Sequence, residues 1–200
     1  MPKQVTLLLD KSGSMRTEDT RLGSRWKYAE ETISALAYDV NELDPDGITV
    51  IPFSTAPFTV YENTVPATVA NIFKEQRPGG STDTAGALQK ALDRYFARKQ
   101  AAAGAAIDPE LIIVMTDGVP DDQQAVAKVI SNATKRLDRD DEVGITFIQV
   151  GADAAATKFL KSLDDDLVAA GASFDIVDTL LIDEVSHLSI EELVDRAFND

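Results

Sequence analysis

No cysteine occurs in the 200 residues. This removes disulfide cross-links and thiolate chemistry, and it is the composition a reducing compartment favours. Histidine occurs once, as His187, in an acidic stretch where it reads as a surface residue and not as a catalytic base. Basic residues are scarce: 19 Lys and Arg against 34 Asp and Glu leave a net charge of −15. That balance opposes phosphate backbones and anionic membranes as partners. No apolar stretch approaches the ~20 residues of a membrane span. The apolar run after Met1-Pro2-Lys3-Gln4 is too short for a secretory signal and ends in Asp10. There is no Walker A loop and no dinucleotide fingerprint, and Ser14 lacks the G-x-S-x-G elbow of serine hydrolases. From these absences we expect a cytoplasmic protein that binds neither nucleic acid nor membrane.

What is present suffices for a packed domain. Hydrophobic residues make up 44% and charged residues 26% of the chain, ordinary values for a soluble globular protein. A chain of this length encloses a substantial core, so we expect one domain over residues 1–200. The runs Val5–Leu9, Ile48–Phe53, Leu111–Met115 and Gly144–Val150 are bounded by polar and glycine residues, the pattern of strands buried on both faces. Phe58-Thr59-Val60-Tyr61 follows the second run closely, which predicts an antiparallel edge strand. Ser173–Val177 is the last expected strand.

Helical stripes lie between these runs. Trp26, Ala29, Ile33, Leu36, Ala37, Val40 and Leu43 follow Ser24, a good N-cap residue. Trp26 reads as core or as a helix-to-sheet anchor. Thr68–Lys74 is a short helix. Leu88, Ala91, Leu92, Tyr95 and Phe96 mark the next, then Ala125 to Leu137, then Ala155–Leu163. Leu193, Val194, Ala197 and Phe198 follow the capping sequence Ser189-Ile190-Glu191-Glu192. Strands alternating with helices predict an α/β fold with a mainly parallel central sheet, one antiparallel edge strand and helices on both faces.

Three loops carry candidate chemistry. Asp10, Ser12 and Ser14 follow the first strand at alternate positions. Thr82 lies just beyond Gly79-Gly80, before a helix. Asp117 closes the Leu111–Met115 strand. The carboxyl ends of parallel strands share one edge, where ligands bind in open sheets. Hydroxyl and carboxylate oxygens are hard ligands, suited to Mg²⁺, with Mn²⁺ and Ca²⁺ as alternatives. Ser12 and Ser14 alone would read as turn formers; with Thr82 and Asp117 they read as a metal site. Asp83 reads as a helix cap, and Asp121 and Asp122 as carboxylates favoured at a helix start. Lys11 reads as a solvated side chain. The polar stretch Arg16–Arg25 is a surface loop, either a connector or a flank of the site.

These motifs resemble the von Willebrand factor type A (vWA) domain. Asp10-Lys11-Ser12-Gly13-Ser14 matches its D-x-S-x-S signature, Gly79-Gly80-Ser81-Thr82 its threonine loop, and Thr116-Asp117-Gly118 its distal aspartate. The resemblance covers nearly the whole chain and implies a three-layer, Rossmann-like fold with a metal-ion-dependent adhesion site. It further implies that Ser12, Ser14 and Thr82 bind the metal directly, while Asp10 and Asp117 act directly or through water. Ser81, Thr82 and Thr84 all offer hydroxyls, and alignment to the glycine pair selects Thr82. The metal would take an Asp or Glu carboxylate of a protein partner. The size and cysteine-free composition resemble bacterial intracellular members. In some relatives the last helix moves with affinity, which makes Ile190–Phe198 a candidate for the same motion. The expected function is therefore a non-enzymatic, metal-dependent interaction module. The rival is a Mg²⁺-dependent phosphoryl-transfer enzyme, which also uses strand-end aspartates, although Asp10 lacks the second aspartate two residues on that a haloacid-dehalogenase-type phosphatase requires.

Overall fold

Alternation within the apolar runs decides the layering. In β1 (Gln4–Asp10), Leu7 and Leu9 face one core while Leu8 faces the other. In β4 (Glu110–Thr116), Ile113 and Met115 take the first side and Ile112 and Val114 the second. Successive strand residues point to opposite faces, so a run that is apolar at every position must be covered twice. The computed structural model describes residues 3–185 and 187–199; Met1, Pro2, Ser186 and Asp200 lie outside them.

The other strands are β2 (Ile48–Phe53), β3 (Tyr61–Thr64), β5 (Val143–Gln149) and β6 (Val177–Leu181). The sheet order is β3-β2-β1-β4-β5-β6. Every pairing is parallel except β2 with β3. One face carries α1 (Arg25–Leu43), α2 (Pro66–Glu75) and α7 (Ile190–Asn199); the other carries α3 (Thr84–Ala101), α4 (Gln123–Thr134) and α5 (Ala154–Asp165). A single turn, α6 (Ile182–Val185), leads from β6 towards α7. This is the expected three-layer α/β architecture with one antiparallel edge strand. Among the described residues no helix is long and apolar enough to cross a membrane.

The caps behave as read. Ser24 Oγ accepts from the Lys27 amide, and Asp83 from Gly86 N–H at 2.9 Å. Ser189 and Glu192 exchange side chain-to-backbone bonds, the reciprocal capping box of α7. That helix is seated closely. A Cβ added at Gly144 would lie 2.5 Å from the Ala197 carbonyl oxygen, and Arg196 pairs with the buried Asp178 at 2.9 Å.

Two strand bounds need correction. The third strand is Tyr61–Thr64, not Phe58–Tyr61. Phe58 and Val60 are apolar because they pack on the second core from a loop. The last strand is Val177–Leu181, not Ser173–Val177. Phe174 and Ile176 fill that same core ahead of the strand, and Asp178 is buried within the strand, where it accepts from Arg196 of α7. Trp26 takes the core reading: it packs against the first core, with its ring 4.8 Å from Phe73 on α2.

Candidate metal centre

The chain leaves β1 for a helix on one face and leaves β4 for a helix on the other. A crevice opens at their adjacent carboxyl ends, the switch point where open α/β sheets bind ligands. Asp10 ends β1 and Asp117 directly follows β4. After Asp10 the chain enters a 3₁₀ turn, Gly13–Arg16. Met15 plugs into the core with no exposure while Ser14 stays exposed. An apolar anchor at position 15 thus holds the preceding hydroxyls at the rim.

The polar groups are linked. Ser12 and Ser14 place their Oγ atoms 2.9 Å apart. Ser14 Oγ donates to Asp117 Oδ1 at 2.8 Å, across 103 residues of sequence. Asp10 is fully buried. Its Oδ1 accepts from Ser12 N–H at 2.7 Å and its Oδ2 from Thr116 Oγ1 at 2.7 Å. Burial pushes the Asp10 carboxyl up to about 6, with Asp117 adding to the rise against those two donors. A buried carboxylate without a cation beside it is costly to charge.

The threonine loop is tied to the first loop through backbone bonds. Gly13 N–H donates to Gly80 O at 3.2 Å, and Gly79 N–H to Lys11 O at 2.6 Å. Gly80 has φ +89°, and a Cβ there would press on Thr55 Oγ1 at 3.0 Å, so the tight path requires glycine. Asp121 holds Thr82 from the third loop. Both its carboxylate oxygens accept from Thr82 N–H at 3.1 Å, and its own N–H donates to Thr82 O. Of the three hydroxyls, that of Ser81 is engaged with Thr55 at 3.0 Å. That of Thr84 is buried at the start of α3 with no partner among the described residues. The five expected residues thus lie on three segments meeting at one edge. Asp10, Ser12, Ser14 and Asp117 form one hydrogen-bonded string, and Thr82 sits on the loop fastened to it.

The family model of the von Willebrand factor type A domain matches residues 4–181. The chain belongs to the vWA family. No curated protein matches it. Solved structures share the vWA chain's fold at low identity. A D319A mutant of the PilB minor pilin from Streptococcus sanguinis superposes with TM-score 0.66 at 14% identity, over 98% of this chain and 62% of the pilin's. The manganese-loaded TRAP protein of Plasmodium vivax gives 0.60 at 16%, over 98% and 73%. Mussel byssus proximal thread matrix protein 1, with a zinc-occupied MIDAS motif, gives 0.60 at 18%, over 98% and 48%. The vWA chain therefore spans about three fifths of the pilin and half of the byssus protein.

Two side chains of this vWA rim escaped sequence reasoning. Arg25, the first residue of α1, donates through Nη1 to Asp117 Oδ2 at 2.9 Å and through Nη2 to Asp19 at 2.6 Å. It answers the question left open for the Arg16–Arg25 stretch, whose far end flanks the site. Its bond to Asp19 holds that carboxyl below the usual range. Asp121, read as a helix-start carboxylate, clamps the threonine loop instead. A polar segment ending in an N-cap signals the helix start, but nothing in it signals a partner 92 positions away.

Donor chemistry passes the test for a hard divalent cation. Among the described residues no three His, Cys, Asp or Glu side chains gather as a metal cluster. Both site carboxylates already have their oxygens engaged by protein donors. Each of these oxygens keeps a further lone pair, so the hydroxyls and carboxylates together form an all-oxygen donor set of the kind a hard divalent cation takes.

Proposed function

We propose that this vWA chain is a non-enzymatic binding module that holds Mg²⁺, or Mn²⁺ or Ca²⁺ in its place, and engages an Asp or Glu carboxylate of a protein partner through it. Ser12, Ser14 and Thr82 would ligate directly, with Asp10 and Asp117 acting directly or through water. The observation that carries this reading is the string Asp10–Ser12–Ser14–Asp117, in which Asp10 is buried and makes no ion pair among the described residues. A divalent ion supplies the missing positive charge and orients a partner's carboxylate. The cytoplasmic, bacterial-intracellular setting belongs to the same proposal and rests on the cysteine-free composition.

The test is titration calorimetry with Mg²⁺ on the wild type and Ser14→Ala. Ser14 is exposed, so the variant should fold normally. We expect metal affinity to fall about 10- to 100-fold or more. Equal affinity for the two proteins would remove the site. The phosphoryl-transfer rival is checked alongside by Mg²⁺-dependent turnover of a generic phosphoester. Turnover that disappears in Ser14→Ala would replace the binding reading with an enzymatic one.

A further inference from the structure

Beside the site, on the far side of Arg25, lies a cleft of about 880 Å³. That is within the range of ligand-binding pockets. Arg25 is the wall between the two. One of its nitrogens reaches Asp117, another reaches Asp19 on the cleft's lining, and its Nε would lie 2.9 Å from a Cβ at Gly151, also on the lining.

The chemistry of this cleft is unlike the rest of the molecule. The chain carries −15 overall, yet Arg21, Lys158 and Lys161 line one cleft, and none of the three makes an ion pair among the described residues. Lys158 and Lys161 stand three apart on α5 and so share a helix face. The carboxylates there are already engaged: Asp19 by Arg25, and Asp183 by the Tyr28 hydroxyl. Between the cations the lining is apolar, with Tyr28, Leu181 and Ile182 at its base. Arg21 lies over the Tyr28 ring at 5.0 Å, so Lys158 and Lys161 are the cations that face a ligand, and two such charges beside an apolar lining complement a chain segment that mixes acidic and aliphatic side chains.

We propose that this cleft is a docking groove for an acidic, leucine-bearing segment of the partner protein. The inference rests on the metal-site reading for its first anchor, the partner carboxylate. The cleft adds a second anchor that sets which sequences beside that carboxylate are accepted. Specificity then comes from the residues flanking the metal-bound carboxylate, since the cation itself takes any Asp or Glu.

The probe is a fluorescein-labelled acetyl-(Leu-Glu)₅-amide peptide, followed by anisotropy in saturating Mg²⁺, with (Leu-Gln)₅ as the neutral control. The variant is Lys158→Glu with Lys161→Glu, both exposed side chains. We expect the wild type to bind the acidic peptide and not the neutral one. Charge reversal should weaken binding about tenfold or more while leaving calorimetric Mg²⁺ affinity unchanged. Equal peptide affinity in both proteins overturns the groove and leaves the metal site standing. Binding that survives chelation but is lost on charge reversal supports the groove and sinks the metal anchor. Failure of the wild type to bind the peptide overturns the groove, as does full displacement by inorganic phosphate at the peptide's own concentration, which would make the cleft a pocket for free anions.

Discussion

The two rims of the sheet both bury carboxylates, and they treat them differently. At the amino end, Glu110 is buried between the Thr6 hydroxyl at 2.6 Å and the Arg98 guanidinium. Glu142 meets Lys99 at 2.6 Å and the Tyr95 hydroxyl at 2.7 Å. Burial works to raise the Glu142 carboxyl, but Lys99, Tyr95 and the Asp138 amide outweigh it and hold the group below its ordinary value. At the carboxyl end, Asp10 receives neutral donors, the Ser12 N–H and the Thr116 hydroxyl, and burial pushes it up to about 6. Asp44 departs from the contrast. It is buried at the amino end, just ahead of β2, and burial raises it too. Among the described residues it makes no ion pair, and it accepts from Val5 N–H at 2.8 Å and from the Gln4 side-chain amide at 3.3 Å. Burial of a lone carboxylate is therefore not what marks a site. What sets Asp10 apart is the chain of groups beside it, the linked Ser12 and Ser14 hydroxyls and the Asp117 carboxylate that Ser14 reaches.

If this division is right, removing a carboxylate should have opposite consequences at the two rims. Glu110→Ala strips the partner from a buried Thr6 hydroxyl and from Arg98. We expect a loss of about 2–4 kcal/mol in denaturant unfolding, with Mg²⁺ affinity unchanged. A parallel loss of metal affinity would show that the rims are energetically coupled and break the comparison. Asp10→Asn keeps the shape and an acceptor for Ser12 N–H, reverses the bond with Thr116 so that the amide donates to its hydroxyl, and removes the buried charge. The metal-free protein should gain about 1–2 kcal/mol, and the stabilisation that Mg²⁺ gives the wild type should largely vanish. Destabilisation of the metal-free protein by Asp10→Asn would mean that Asp10 is held as the amino-end groups are.

Most of the site was legible because its donors are local. Each follows directly on an apolar run whose buried strand dictates where the loop emerges, so Asp10, Ser12, Ser14 and Asp117 could be placed on one edge without coordinates. What escaped was long-range pairing. Asp178 looks like a turn residue until Arg196 is brought over from α7, and this hid β6. Phe58 and Val60 look like a strand because loop packing and strand burial select the same side chains. Asp121 and Arg25 reach their partners through the fold, and no spacing along the chain encodes those contacts.

Arg25 is where the two kinds of rim come closest to merging, since it brings to Asp117 the sort of cation that Glu110 and Glu142 enjoy. Its guanidinium holds one oxygen of Asp117 and leaves the other to Ser14. It also places a fixed positive charge beside the position a divalent ion would take. Charges a few ångströms apart still repel appreciably in a partly solvated setting. Arg25→Gln keeps a hydrogen-bond donor towards Asp117 and removes that repulsion. We expect Mg²⁺ affinity to rise about 3- to 10-fold at low salt, with the gain shrinking as ionic strength increases. Loss of affinity instead would assign Arg25 to positioning Asp117. The carboxyl-end rim would then depend on an ion pair for its geometry as much as the amino-end rim does for its stability.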